Sequence, residues 1–264
     1  MGELENNWQI PRFSEKTIRP KSSRYCLVIP VVNEGERIQK ELIQIQKAGI
    51  ADLVDIIIAD GGSSDGSLEL TFLESVGVYA LLTKQDAGRL SAQLRMAYAW
   101  ALRQGYEGIV TIDGNGKDSI ESIPLFTRAL DEGIDYAQAS RFIRGGQNQN
   151  APWIRILAIR LLHAPLTSLA AHKWITDTTQ GFRAYSRRYL LDEQVQPFRN
   201  CFQEYELLAY LAVRATQLGY KAIEIPTTRT YPKDEVVPTK INSFRGYMNL
   251  FNTLMATCVG KFNP

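Results

Sequence analysis

Apolar residues recur along the chain in short unbroken runs, each followed by a stretch in which they return every three to four positions. The run YCLVIP at residues 25–30 precedes VVNEGERIQKELIQIQKAG, where Ile38, Leu42, Ile45 and Ala48 fall on one helical face. Asn33, followed three positions later by Glu36, predicts a capping box at the start of that helix. LVDIIIAD precedes GGSSDGSLELTFLES, VGVYALLT precedes a helical pattern from about Ala87 to Gln104, GIVTID precedes a helix over 119–132, and IDYAQAS closes the series. Near-continuous apolar strands separated by helices predict a mostly parallel sheet covered on both faces, hence an α/β fold.

Residues 1–23 read as an irregular arm. Beyond about residue 145 the pattern changes: GGQNQN is a polar loop, and 152–172 is helical and apolar, dotted with Arg155, Arg160 and His163. Further helices are expected at 203–218 and 243–258, with a strand at YKAIEIP between them. The second half is therefore mixed.

Composition narrows the function classes. A chain of 264 residues with 45% hydrophobic and 22% charged residues can bury a full core. Its formal charge of +2 gives no reason to expect a nucleic-acid partner, so any anion site must come from local clusters. Cys26, Cys201 and Cys258 are odd in number, far apart and without metal-ligand spacing, which favours buried thiols in a reduced cytoplasmic setting. The N-terminal MGELENNWQIPRF has neither the basic start nor the apolar stretch of a signal peptide, and Asn6 breaks the myristoylation pattern. No apolar run reaches the roughly 18 residues expected of a membrane span.

In open parallel sheets, ligands bind beyond the carboxyl ends of the strands. Three such ends carry Pro30-Val31-Val32-Asn33-Glu34, Asp60-Gly61-Gly62-Ser63-Ser64-Asp65-Gly66 and Asp113-Gly114-Asn115-Gly116. No GxGxxG follows a strand and no P-loop pattern is present, which argues against dinucleotide or P-loop nucleotide binding. Taken in order, LVIPVVNEGE, IIIADGGSSDGS, VTIDGNGKD, ASRF, DTTQGFRAYSRR, QEYELLAYLAVRATQLGYKAIEIP and PTKI resemble the family 2 glycosyltransferases of GT-A fold, nearest the polyprenyl-phosphate (dolichol-phosphate mannose synthase-like) branch. The resemblance spans about residues 24–242 and implies a Rossmann-like GT-A domain. Its nucleotide-sugar half would be 24–145 and its acceptor half 146–242, with a C-terminal amphipathic helix and tail at 243–264. It also implies inverting transfer from a UDP- or GDP-linked sugar to a lipid-phosphate or saccharide acceptor, in surface polysaccharide or glycolipid synthesis, assisted by Mg²⁺ or Mn²⁺.

Carried onto this chain, the resemblance sets Pro30, Val32 and Glu34 against the donor nucleotide and Asp60 beside its base or ribose. Many relatives have a second acid after that aspartate, but here Gly61 stands in its place. Asp113, Gly114 and Asn115 match the metal and diphosphate motif, with Asp113 and Asn115 as the metal ligands. Hard oxygen donors suit such an ion, and an amide oxygen ligates without bringing charge. Lys117 is placed to neutralise phosphate charge. Asp118 with Glu121 predicts a helix cap rather than a ligand. Arg141 matches a Gly-Ser-Arg element, with Ala139 for the glycine, and would face the diphosphate. Lys240, with Thr239 for serine, matches an element that closes over the donor, with Arg229 or Lys233 assisting.

On the acceptor side the resemblance points to Asp177 and Arg183. If the acceptor is a lipid phosphate, Arg183 would hold it and the nucleophile is already an anion; if it is a hydroxyl, Asp177, Glu204 or Glu206 must take the proton. Glu206 divides evenly between a catalytic acid and a rim residue in a salt bridge. His163 and His172 read as packing or surface residues. The stripes Trp153, Ile154, Leu157, Leu161 and Tyr247, Leu250, Phe251, Leu254, Met255, Cys258 suit either a core or peripheral contact at the inner membrane face. Two rival functions remain open: a sugar-nucleotide pyrophosphorylase, and a glycosyltransferase-like protein that binds a sugar nucleotide without turnover.

Overall fold

The computed structural model describes residues 7–232 and 244–264. Ten strands and nine α-helices are described. One eight-stranded sheet organises them, in the order β1-β4-β3-β2-β5-β8-β6-β9. Its strands are β1 (Phe13–Thr17), β2 (Tyr25–Val31), β3 (Asp55–Asp60), β4 (Val78–Lys84), β5 (Gly108–Thr111), β6 (Tyr136–Ser140), β8 (Arg183–Ser186) and β9 (Ala222–Pro226); β7 (Gln147–Gln149) and β10 (Thr228–Thr230) pair separately. The neighbours β4-β3-β2-β5 are mutually parallel. Strands β2 and β3 are buried along nearly their whole length, which is why they read as unbroken apolar runs.

Helices cover both faces. On one face α1 (Glu36–Lys47) and α4 (Ile123–Asp131) set Ile38, Leu42, Ile45 and Phe126 on Leu27, Ile29, Ile56 and Ile58. On the other, α3 (Leu90–Arg103) and α8 (Glu206–Gln217) bury Leu94, Tyr98, Leu102 and Leu211 against Val28, Ile57 and Ile109. Smaller helices α2 (Leu70–Ser75), α5 (Trp153–Ala158), α6 (Ala164–Ala171) and α7 (Arg187–Leu190) lie between strands, and α9 (Phe244–Cys258) follows β10. A π-helical turn at 159–163 joins α5 to α6.

The structure departs from the sequence expectations in four places. The arm contains β1, an antiparallel edge strand on β4 with Phe13 opposite Lys84 and Thr17 opposite Ala80; its exposed Glu15 and Lys16 suit an edge. The capping box does not form. Gly35 is the N-cap of α1, and Asn33 instead takes a left-handed conformation (φ 48°) and accepts a hydrogen bond from Ser64 N at 2.8 Å. The segment RAYS supplies β8, antiparallel between β5 and β6, so the sheet runs on through the change of pattern near residue 145. Finally, the helix Trp153–Ala171 is, by length and composition, long and apolar enough to cross a membrane. The sequence reading saw no such run.

Candidate active site

The ends of β2, β3 and β5 interlock. Val31 is in register with Asp60, and Gly61 N donates to Val31 O at 2.8 Å. Asn33 N donates to Ser63 Oγ (3.0 Å) and Gly35 N to Asp65 Oδ2 (2.8 Å). Gly114 of the neighbouring loop packs so tightly on β2 that a Cβ there would meet Pro30 O at 3.0 Å. The three predicted donor loops thus meet at one edge of the sheet.

Within this edge, Asp60 is 4% exposed, and its Oδ1 accepts from Gly62 N (3.1 Å) and Ser63 N (2.8 Å). Its first task is to close its own loop. No side chain fits at Gly61, since a Cβ would fall 2.2 Å from Val32 Cγ2 and 2.8 Å from Gln93 Nε2. Gln93 fills that space, donating to Val31 O and Ala59 O at 3.0 Å each and tying β2 to β3. The second acid of the family pattern is therefore excluded sterically. Glu34 is ion-paired with Arg37 at 3.6 Å.

Asp113 is held from two sides. Arg229 on β10 donates from Nη2 to Asp113 Oδ2 at 2.9 Å and from Nη1 to Asp118 Oδ1 at 2.6 Å. At the other carboxylate oxygen lies Gly181. Asp118 is 7% exposed and also accepts from Gln180 Nε2 at 2.9 Å; it is an interior ion-pair partner, and Ser119 takes the N-cap position expected of it. Beneath the loop, buried Glu41 accepts from Gly116 N at 2.9 Å, and burial together with Asp118 pushes its carboxyl well above the usual range. Burial lowers the basicity of Arg229, but Asp118 and Asp113 more than restore it, so it is a permanent cation.

The donor set fits a divalent cation on one condition. Asn115 Oδ1 is buried without a hydrogen-bond partner among the described residues, a hard oxygen with nothing on it. Asp113 supplies a carboxylate. Yet among the described residues no three His, Cys, Asp or Glu side chains converge to hold an ion. An ion held by this pair would take its remaining oxygens from phosphate and water, the usual surroundings of Mg²⁺.

Beside this loop four cations surround Tyr231, which is 1% exposed. Arg141 Nη1 donates to its hydroxyl at 3.2 Å, while Lys117, Arg155 and Arg229 lie 5.4, 5.6 and 5.9 Å from its ring centre. Burial raises the phenol's pKa, but Arg229, Arg155 and Arg141 carry it below its ordinary value. Lys117 has no carboxylate at ion-pair distance among the described residues, and burial, then Arg229, lower its pKa.

Several sequence-predicted residues lie elsewhere or do other work. Asp177 is fully buried and spent on Arg141, with Nε to Oδ2 at 2.6 Å and Nη2 to Oδ1 at 2.8 Å, so it is not placed as a free base. Arg183, expected at the acceptor, is 2% exposed inside the sheet. It donates to the carbonyls of Gln180, Thr178 and Leu208, which leaves no surface for a phosphate. Glu206 stands at the start of α8 and accepts from Glu204 N at 2.8 Å; no hydrogen bond or ion pair joins it or Glu204 to Asp113 or Asp177 among the described residues. His163 is half-buried against Thr178 and His172 is exposed. Lys240 and Lys233 lie outside the described residues.

The sequence reading missed Tyr231, Glu41, Gln180 and Gly181, and gave Arg155 and Asp118 no part in the site. Of these, Gln180 and Gly181 left a signal, since both lie within the motif DTTQGFRAYSRR. Past this site the helix from Trp153 exposes Trp153 (70%), Ile154, Leu161 (73%), Leu162 and Leu169 (76%), continued by Trp174.

No family model matches the chain. It is 31% identical over 221 residues to a polyprenol monophosphomannose synthase of Mycolicibacterium smegmatis, covering 81% of this chain and 80% of that one. Over 208 residues it is 25% identical to an undecaprenyl-phosphate mannosyltransferase of Micrococcus luteus, covering 78% and 83%. Among solved structures, glucosyl-3-phosphoglycerate synthase of Mycobacterium tuberculosis with UDP superposes at a TM-score of 0.65 with 16% identity, covering 98% and 84%. The same enzyme with Mn²⁺, UDP and glucosyl-3-phosphoglycerate gives 0.62 at 16% identity, covering 89% and 80%. That likeness shows a GT-A fold.

Proposed function

The chain belongs to the family 2 glycosyltransferases of GT-A fold, in the polyprenyl-phosphate sugar transferase branch, and from that membership we propose that it moves a sugar from a UDP- or GDP-linked donor to the phosphate of a polyprenyl lipid. The observation that carries this is the adjacency of two regions: interlocked strand-end loops around Asp113, and a cluster of cations around Tyr231. The first suits a nucleotide diphosphate and the second an anionic acceptor.

In this reading Pro30, Val32, Glu34, Asp60 and Gly61 line the nucleotide, and Asp113, Gly114, Asn115 and Lys117 face the diphosphate, whereas Arg141, expected there, is buried with its donors spent on Asp177, Tyr231 and Thr179. Asp113 and Asn115 would hold Mg²⁺ or Mn²⁺, which supplies Lewis-acid stabilisation of the departing nucleoside diphosphate. Arg155 and Lys117 take over the acceptor-phosphate role expected of Arg183. An oxygen of the lipid phosphate attacks the anomeric carbon as the bond to the diphosphate oxygen breaks on the opposite side, so configuration inverts. The nucleophile arrives as an anion. No general base is required, in keeping with the engagement of Asp177 by Arg141. The exposed apolar face around Leu161 and Leu169, flanked by Arg155 and Arg160, rests on the membrane that carries the acceptor.

The test is transfer of radiolabelled sugar from a panel of UDP- and GDP-sugars into organic-extractable polyprenyl phosphate, with Mn²⁺ or Mg²⁺ present. Label in the lipid phase, lost in Asp113→Ala, supports the reading. Label confined to hydrolysed sugar for every donor overturns it.

A further inference from the structure

The carboxylate assigned to the metal already carries an intrachain cation. Arg229 Nη2 lies 2.9 Å from Asp113 Oδ2, and the same guanidinium is pinned to Asp118 at 2.6 Å. Its side chain is 6% exposed, and a backbone bridge between Asp118 and Arg229 fixes its strand beside the loop. Arg229 is therefore built in, not a side chain that swings in from solvent. The second ligand, Asn115, brings an unpartnered oxygen but no charge. Nearby, Lys117 and Arg155 have no carboxylate at ion-pair distance among the described residues and add positive charge.

We propose that Arg229 makes the divalent cation and the nucleoside diphosphate enter this site as one unit, each binding poorly without the other. This rests on the donor reading above. A free ion meets one charge-matched carboxylate, one neutral amide and a cationic surround. A free diphosphate meets cations but lacks the ion that spans its oxygens and Asn115. Together they bring nearly compensating charge and complete one another's coordination. Because linkage is reciprocal, the ion strengthens nucleotide binding by the same factor as the nucleotide strengthens ion binding. Arg229 sets that factor by cancelling the attraction of Asp113 for a lone cation.

Calorimetric titration of the full chain tests this with MnCl2, UDP and GDP, singly and in pairs. Expected is no Mn²⁺ binding below about 1 mM in the absence of nucleotide, and at least ~100-fold tighter binding at a saturating concentration of the cognate nucleotide, the upper part of the usual coupling range. Arg229→Gln should bind Mn²⁺ alone in the tens of micromolar (~10⁻⁵ M), with the coupling factor reduced about tenfold or more, whereas Arg229→Lys should retain strong coupling. Should Arg229→Gln fail to fold, Asn115→Asp adds a ligand charge without touching the pair and should also bind free Mn²⁺. Tight binding of free Mn²⁺ by the parent chain, nucleotide binding equal with and without Mn²⁺, or coupling unchanged in Arg229→Gln (or in Asn115→Asp, where that variant replaces it) each overturns the proposal and leaves the donor reading intact. Failure of UDP and GDP to bind under any condition removes the donor reading itself.

Discussion

Gly181 faces the Asp113 carboxylate so closely that a methyl group at its Cα would lie 2.1 Å from Oδ1. The constraint is specific to this contact, because Gly181 is not among the glycines with a left-handed backbone and an alanine suits its main chain. Gly181→Ala should therefore displace Asp113 and lower transfer by about 10²-fold, the scale of losing one well-placed electrostatic group. Overpacking at one site costs about 1–3 kcal/mol, so the variant should stay folded. Parental kcat/KM in a folded Gly181→Ala would show that the position of Asp113 does not matter.

Arg141 and Asp177 form a buried bidentate pair, with side chains 1% and 0% exposed. Removing one partner of such a pair strands the other charge and costs about 3–5 kcal/mol. In a chain of this size Asp177→Asn should lower Tm by roughly 10 °C. A general base would behave differently, with activity falling while thermal stability holds. Thermal denaturation beside single-turnover assays separates the two, and an unshifted Tm with lost turnover would return Asp177 to catalysis.

How much of this was legible in the sequence depended on the range of the cause. Strands β2 and β3, buried on both faces, announce themselves as apolar runs, and the donor loops follow at their carboxyl ends. Strand β8 could not be read that way, since four residues led by an arginine look like surface until the sheet closes over them. Asp118 carried a good local cap signal, with Glu121 three positions on, but its partner Arg229 is 111 residues away and outweighs it. Gly61 was visible as a missing acid. That Val32 and Gln93 occupy the space could be known only from packing.

Leu161 and Leu169 are 73% and 76% exposed on the helix from Trp153. Burying a leucine in an apolar phase is worth about 1.5–3 kcal/mol, so each should contribute roughly 10- to 100-fold to partitioning if this face meets a bilayer. Leu161→Glu and Leu169→Glu should reduce co-sedimentation with anionic vesicles by at least that much, leave Tm unchanged, and slow transfer to long-chain polyprenyl phosphate more than to a short, water-soluble analogue. Equal sedimentation of parent and variants would take the membrane away from this face.

His163 Nδ1 lies 2.6 Å from Thr178 Oγ1. Burial, reinforced by Arg183 and opposed by Asp177, lowers its pKa to about 4, against about 6.5 in an unfolded chain. Between those values the unfolded chain binds a proton that the folded chain refuses, so stability falls as pH drops from about 6.5 toward 4 and is insensitive to this group above about 7.5. At pH 5 the loss attributable to His163 is about 2 kcal/mol. His163→Gln removes the titrating ring, so urea unfolding at pH 7.5 and pH 5 should show a smaller acid loss in the variant than in the parent, by about that amount. Equal losses in both would mean that protonation elsewhere governs acid sensitivity and that His163 is not held neutral by its surroundings.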